Sequence, residues 1–337
     1  MLRGAARLFV VAVAAAIAAL TLAQRSGTGA WWVELSRYVP HYWVLLPCLA
    51  AFIVACGLGR RWALASLVAP ALVLTVTMGW QWNRGEAGER RVRLMTYNVK
   101  LSGESESSPS TLGVGLEVAR HDPDILVMQD AVGLRAPFGG RSRPGLPPLF
   151  GLSHVHAAGQ YVVASRLPVR GCTSGPLAGP PEGIGYLRCS FDAHGTALTV
   201  VNVHFKSPRG GLSATRQEGV EGAADWRDNV DERLAQSREL ARRLAAMPRP
   251  LVVAGDLNAP ESSPVVRQLL ATGLRDSFSA AGRGYGFSYG QSMRAGLSFL
   301  RIDHVLVSAD LGVSRSVVGG GEASEHRPVI ADLVLPH

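Results

Sequence analysis

The chain has 337 residues, of which 47% are hydrophobic and only 18% charged, a balance that buries a core and excludes disorder over most of the length. Four cysteines without a C-x-x-C pair exclude a disulfide scaffold and give no structural zinc signature. The net charge is +8, and with Lys100 and Lys206 as the only lysines it is almost entirely arginine, which suits a polyanionic partner or a membrane surface.

The apolar excess is concentrated at the N-terminus. Three uncharged runs, about 8–23, 41–58 and 62–80, are predicted as transmembrane helices within an N-terminal membrane region, residues 1–89. A hydrocarbon core needs roughly 20 apolar residues of helix. Six of the seven tryptophans, Trp31, Trp32, Trp43, Trp62, Trp80 and Trp82, fall at or near the ends of these runs, where an amphipathic ring prefers the interface. The first run also has the shape of a cleavable signal peptide, being short and preceded by Arg3 and Arg7. With two further runs behind it, an uncleaved anchor is the expectation. Arg60 and Arg61, with Arg3 and Arg7, place the N-terminus and the hairpin between runs two and three in the cytoplasm. The expected location is therefore a multi-pass cell-membrane protein with its remaining domain outside the cytoplasm. Arg25, Arg37, Arg84, Arg90, Arg91 and Arg93 fall on that other side and dilute the bias.

Residues 90–337 have the composition of a soluble α/β domain. Short β-branched runs predict strands at Val92–Val99, Ile125–Met128, Tyr161–Ala164, Leu198–Phe205, Leu251–Ala254, Ile302–Val307 and Val329–Leu335. Several are apolar on both faces, as buried strands are. Helical spacing predicts helices around 228–247, 111–120 and 264–271, and Gly/Pro/Ser clusters predict loops over 102–110, 133–148, 171–185 and 279–296. Cys172 and Cys189 flank one of these loops between extended segments, a spacing compatible with a cross-strand disulfide or with two free thiols.

The strand-like runs end in polar side chains: Asn98, Gln129-Asp130, His204, Asp256-Leu257-Asn258, Asp303-His304 and Glu325-His326. In a layered α/β fold the strand ends of one rim converge on a cleft. Carboxylate and amide oxygens without cysteine suit a hard cation, Mg²⁺ or Mn²⁺. Histidines added to them give a set able to activate water and stabilise a charged phosphorane, which is phosphoester hydrolysis. Each residue alone has a structural alternative, such as an Asx-turn at Asp256-x-Asn258 or a core histidine at His204. His304 adjoins Asp303 on a strand, so it points to the opposite face and is read as structural.

With those residues in view, the sequence resembles the endonuclease/exonuclease/phosphatase superfamily, of DNase-I-like fold, as a membrane-anchored bacterial-type member. RLMTYNVK, PDILVMQDA, YVVASRLPV, VVNVHFKSP, LVVAGDLNAP, RIDHVLVS and SEHRPVIADL are similar to seven of its motifs, in family order, from about residue 91 to the end. The resemblance implies a two-sheet α/β sandwich preceded by the three transmembrane helices, with residues 90–337 as the catalytic domain. It implies that Asn98, Asp130 and Glu325 serve the divalent metal and that Asp256, with Asn258, orients or deprotonates the attacking water. It further implies that His326, oriented by Asp303, and His204 offset charge growing on the phosphate. Two positions depart from the family pattern: Asp130 where glutamate is usual and Glu325 where aspartate is usual. The G-Y-x-G segment of apurinic-site endonucleases is absent, since the matching stretch reads AAGQYVVASR.

The expected protein is a metal-dependent phosphodiesterase acting on a phosphoester substrate, nucleic acid ahead of lipid, with no nucleotide cofactor. A phospholipid, head-group or small-molecule phosphoesterase and a non-catalytic phosphate-binding module are the alternatives. A transporter is disfavoured because the spans hold no ionisable residue beyond peripheral His41.

Overall fold

The computed structural model describes residues 2–101, 108–135, 148–178, 183–293 and 296–336. The chain forms two compact units, Met1–Gln81 with Ser262–Pro264, and Trp82–Glu261 with Val265–His337.

The first unit is helical: α1 (Leu2–Arg25), α2 (Trp31–Arg37), α3 (Leu45–Leu58), α4 (Arg60–Ser66) and α5 (Val68–Leu72). Two stretches, Leu2–Arg25 and His41–Leu58, are long and apolar enough to cross a membrane, and only 17% and 22% of their apolar windows are buried. Leu8, Val11, Leu46, Leu49 and Ile53 are exposed, whereas a soluble core helix hides such side chains. The expected third helix, 62–80, is divided instead: α4 and α5 meet at Leu67, and a π-turn, Val73–Thr77, follows. Pro70 is the reason, since it has no N–H to offer the carbonyl one turn earlier. Arg37 is buried against Glu34 and donates to the Gln24 carbonyl at 2.6 Å, so it contributes no free positive charge to the topology count.

The second unit is a two-sheet sandwich. One sheet has the order β11-β12-β1-β2-β4-β3, and comprises Gly312–Val318, Val329–Val334, Arg91–Asn98, Ile125–Gln129, Tyr161–Ser165 and His154–Ala158. The other has the order β9-β10-β8-β7-β6-β5, and comprises Leu274–Asp276, Asp303–Ser308, Leu251–Asp256, Thr196–His204, Tyr186–Ala193 and Val169–Gly175. Each sheet is built around one parallel pair, β1 with β2 and β7 with β8, flanked by antiparallel neighbours. Helices α6 (Pro109–His121), α7 (Val132–Arg135), α8 (Arg209–Glu218), α9 (Ala223–Leu244), α10 (Pro264–Leu270) and α11 (Ser277–Ala281) complete the described helices. Residues 102–107 of the loop expected at 102–110 and most of that at 133–148 lie outside the described residues, while 108–110 already belong to α6 and its Ser108 cap. The loop expected at 171–185 is shorter, because β5 continues to Gly175 and β6 begins at Tyr186.

Side chains alternate across each strand. Val92 and Leu94 of β1, Ile125 and Val127 of β2, Leu198 and Val200 of β7, Val252 and Ala254 of β8, and Val305 and Val307 of β10 form one buried cluster between the sheets. Following the same face toward one rim, apolar residues give way to Thr96, Gln129 and Asn202, and then to Asn98, His204, Asp256 and Asp303. The polar residues at the strand ends are thus the last inward positions of core strands. Gly255 lets β8 approach β7 closely, since a Cβ there would lie 1.8 Å from the Val203 carbonyl oxygen, and its φ of +152° already excludes most side chains.

Candidate active site

Beneath the rim lies a buried amide layer. Gln129 Nε2 donates to Asn202 Oδ1 at 2.7 Å and to Thr96 Oγ1 at 3.0 Å, and Asn202 Nδ2 donates to the Met128 carbonyl at 2.9 Å. Gln129 and Thr96 belong to one sheet and Asn202 to the other, so this layer ties the sheets together. Buried and mutually satisfied, it makes a rigid floor.

Asp256 Oδ2 is the hub above that floor. Asn98 Nδ2 donates to it at 2.9 Å, while His204 Nε2 and His326 Nε2 stand 3.5 and 3.7 Å away. The other oxygen, Oδ1, accepts the Asn258 main-chain N–H at 2.8 Å, which fixes the carboxylate plane. Register explains the assembly: Asp256 pairs with His204 across β7–β8 and with Asp303 across β8–β10. Asp256 and Asn98 are wholly buried.

Both imidazoles are anchored through Nδ1. That of His326 lies 2.9 Å from Asp303 Oδ2, and that of His204 lies 2.6 Å from Gln160 Oε1 and 3.4 Å from Asp130 Oδ1. These oxygens can only accept, so Nδ1 donates in each ring and Nε2 is turned toward Asp256. Burial alone would lower the pKa of His326, but Asp303 and Asp256 outweigh it and raise it. Burial is the main cause that raises the pKa of Asp303; His326 opposes the rise and the like charge of Asp256 adds to it.

Asp130 and Lys100 sit on paired left-handed turns, with φ of 48° and 53°, just beyond the ends of β2 and β1. The Lys100 ammonium meets Asp130 Oδ2 at 2.5 Å. Burial would raise the pKa of Asp130, but His204 and Lys100 prevail and hold it well below the usual carboxylate range. Asn258, also left-handed with φ of 49°, donates its side-chain amide to the Phe205 carbonyl at 2.9 Å. Glu325 lies elsewhere in the site. It is 2.6 Å from Arg209, whose guanidinium also reaches Tyr289 Oη at 3.2 Å, and that bond lowers its pKa. The structure therefore brings Asn98, His204, Asp256, Asp303 and His326 together, sets Asp130 beside His204, keeps Asn258 as a backbone brace, and pairs Glu325 with an arginine.

Two buried oxygens, Asn98 Oδ1 and Asp303 Oδ1, have no hydrogen-bond partner among the described residues. Ligand atoms of Asp256, Asp303 and His326 lie within 4.8 Å of one another. Orphaned oxygens beside clustered carboxylates fit a hard divalent cation.

Lys100, Gln160, Asn202 and Ser324 were not singled out as site residues from the sequence. Ser324 Oγ donates to the Asn98 carbonyl at 2.7 Å, and the Tyr289 ring lies tilted by 48° with its centroid 4.9 Å from that of His326. The inward period through 198, 200, 202 and 204 is the signal that would have found Asn202. Two basic residues near these strands are engaged elsewhere: Lys206 pairs with Glu232, and Arg301 is buried against Asp276 and Glu261. Trp226, the one tryptophan outside the N-terminal region, is buried under Arg233 at 5.3 Å, so its ring offers no free face for stacking. His304 faces away from the site, between Asp276 Oδ2 at 2.7 Å and the Ala259 carbonyl at 3.0 Å. Cys172 and Cys189, opposite each other in β5–β6, form a disulfide.

Residues 95–326 match the family described as "Endonuclease/Exonuclease/phosphatase family". No curated protein matches the chain in sequence. Among solved structures, the chain is similar to an endonuclease/exonuclease/phosphatase from Beutenbergia cavernae, with 20% identity, a TM-score of 0.50, and 74% of this chain and 72% of that one covered. It is similar to a 3′ phosphatase, NExo, from Neisseria bound to product DNA hairpin, with 19% identity, a TM-score of 0.51, and 71% and 98% covered. It is also similar to an endonuclease/exonuclease/phosphatase from Bacteroides vulgatus, with 19% identity, a TM-score of 0.50, and 73% and 100% covered. At these identities the likeness is one of fold.

Proposed function

The chain belongs to the Endonuclease/Exonuclease/phosphatase family of phosphoesterase hydrolases, and on that premise we propose that it is a membrane-anchored, divalent-metal-dependent phosphodiesterase that cleaves nucleic acid outside the cytoplasm. The observation that carries the reading is the Asp256 carboxylate, held at 2.9 Å by Asn98 and flanked by two imidazole Nε2 atoms at 3.5 and 3.7 Å.

Asp256 orients the attacking water and takes its proton. His326, held by Asp303, donates from Nε2 to a non-bridging phosphate oxygen. His204, held by Gln160, does the same from the other sheet. Donors fixed in a dry site stabilise developing charge without reorganising. Asn98, through its orphaned oxygen, and Asp130 are the residues that would hold the metal. Glu325 would join them only by exchanging its Arg209 pair. When bound, the metal supplies Lewis-acid charge neutralisation at the phosphate.

Exposed apolar helices at Leu2–Arg25 and His41–Leu58 support the anchor. The Cys172–Cys189 disulfide supports an oxidising compartment. For the substrate, arginine-rich positive charge favours a polyanion bound through its phosphates. The test is the full chain in neutral detergent, incubated with supercoiled plasmid and Mg²⁺, Mn²⁺ or chelator, beside Asp256→Asn. Metal-dependent nicking that is lost in the variant is expected. A folded protein that hydrolyses a phospholipid head group and leaves the plasmid intact would overturn the nucleic-acid reading in favour of lipid.

A further inference from the structure

A second cationic feature lies apart from the active site. Arg283, Arg315 and Arg327 line one cavity of about 640 Å³, together with Asn83, Ser314 and Phe287, and no aspartate or glutamate lines it. Among the described residues none of the three arginines is in an ion pair, whereas Arg93, Arg166, Arg209 and Arg301 all are. Arg315 stands opposite Asp332 in the sheet register, but that carboxylate is taken by Arg93 through bonds of 2.6 and 3.1 Å. Arg283 rests on the face of Trp82 at 5.3 Å.

Arg327 is the most telling. It is half-buried, and among the described residues its guanidinium donates only to main-chain carbonyls, Gly319 at 2.7 Å and Phe287 at 3.4 Å. Burial lowers its pKa and outweighs the opposing pull of Glu117. Arg283 and Arg315 are exposed beside the half-buried Arg327, and guanidinium groups with spare donors grouped around one cavity are a matched receptor for a phosphate group.

The cavity is distinct from the hydrolytic centre. His326 forms an extended bridge with Tyr289, and the Arg327 N–H bonds the Ser288 carbonyl at 2.7 Å. Consecutive side chains of extended backbone point to opposite sides, so the segment that sends His326 to Asp303 sends Arg327 away from it. A phosphate here is a second phosphate, not the scissile one.

Chain continuity indicates its source. Asn83, in the cavity wall, directly follows Trp80-Gln81-Trp82, the aromatic end of the last apolar run. Three residues reach at most about 10 Å, so a bilayer entered by that run, divided though it is, has its interface within reach of the cavity. We propose that the arginine-lined cavity binds the phosphate of an anionic phospholipid head group and seats the catalytic domain on the bilayer surface. The proposal rests on the membrane reading above. A nucleic-acid backbone is the less suited occupant, because it would have to continue into the hydrolytic cleft on the opposite side of the 326–327 segment.

The test is calorimetry on the full chain in neutral detergent with chelator present. Dihexanoyl phosphatidic acid, dihexanoyl phosphatidylcholine, inorganic phosphate and a short 5′-phosphorylated oligonucleotide are titrated into wild type, Arg283→Gln/Arg315→Gln and Asp256→Asn. Phosphatidic acid is expected to bind at least about tenfold more tightly than phosphatidylcholine, and the double arginine variant to lose about tenfold, the equivalent of one charged hydrogen bond. Asp256→Asn should bind it as wild type does. The double variant should hydrolyse bis(p-nitrophenyl) phosphate at the wild-type rate, showing that it is folded. Equal lipid affinity in the double variant overturns the proposal, as does arginine-dependent binding that prefers the oligonucleotide. Carbonate washing of cell membranes separates the two readings. A chain that stays in the membrane but shows no arginine-dependent lipid binding refutes this site alone. A chain that washes free, with arginine-dependent binding of inorganic phosphate, refutes the lipid source and the anchor together.

Discussion

Asp303→Asn separates what the site needs for chemistry from what it needs for stability. The Asp303 carboxylate holds His326 Nδ1 at 2.9 Å, and the residues are 1% and 2% exposed. Asparagine keeps the shape and one acceptor oxygen but loses the charge. A buried hydrogen bond to a charged group is worth about 1.5–3 kcal/mol, and about 1.4 kcal/mol is tenfold in rate. The His326 Nε2–H bond to the phosphate strengthens as charge grows on that oxygen in the transition state, so the loss should fall on kcat, by about 12- to 140-fold, with KM little changed. Stability should move the other way. Burial, and then Asp256, raise the pKa of Asp303 despite His326, so in the folded protein the ionised carboxylate opposes stability. The metal-free variant should therefore melt no lower than wild type, and above it at neutral pH. Steady-state hydrolysis of bis(p-nitrophenyl) phosphate with Mg²⁺ gives the first quantity, and thermal denaturation in chelator the second. A kcat within twofold of wild type would refute the role given to Asp303. A fall in melting temperature matching the lost activity would refute the electrostatic argument.

Lys100→Met removes the ammonium that occupies Asp130. If that contact competes with a metal, Mn²⁺ affinity by calorimetry should tighten about fivefold, roughly 1 kcal/mol for a partly exposed pair; weaker binding would show that Lys100 organises the site instead. Asp276 is buried against Arg301 at 2.8 Å and His304 at 2.7 Å and caps α11. Burial would raise its pKa, but Arg301 and His304 hold it below the usual range. Because the folded pKa lies below the unfolded value of about 3.9, this stability is present above that value and is lost as pH falls through the folded pKa. Asp276→Asn should cost about 3 kcal/mol at neutral pH and flatten the acid-side decline, as denaturant melts between pH 2 and 7 would measure. Cys172 and Cys189, 17 residues apart, should resist maleimide in unreduced cells. Their reduction should cost about 3 kcal/mol, whereas labelling of both without reductant would place the domain in the cytoplasm.

The seven strands expected from the sequence are the ones that run through sheet interiors, where both faces are apolar. Of the five other strands of the two six-stranded sheets, four are the sheet edges: His154–Ala158, Val169–Gly175, Leu274–Asp276 and Gly312–Val318. Tyr186–Ala193 adjoins an edge. An edge strand is held by one neighbour and keeps polar residues and glycine, so it carries little of the apolar run that marks a buried strand. Asn98, His204, Asp256 and Asp303 were legible because strand period and strand end are both local: each is the next inward residue after a core pair. The meeting of the Lys100 and Asp130 turns, the grip of Gln160 on His204, the attraction of Glu325 to Arg209 and the arginine-lined cavity were not legible. They depend on side chains 30 to 116 residues apart in the chain, or on which arginines find no carboxylate. Local pattern dictates which residues face inward, while the pairing of charges at the rim is settled only when the two sheets close.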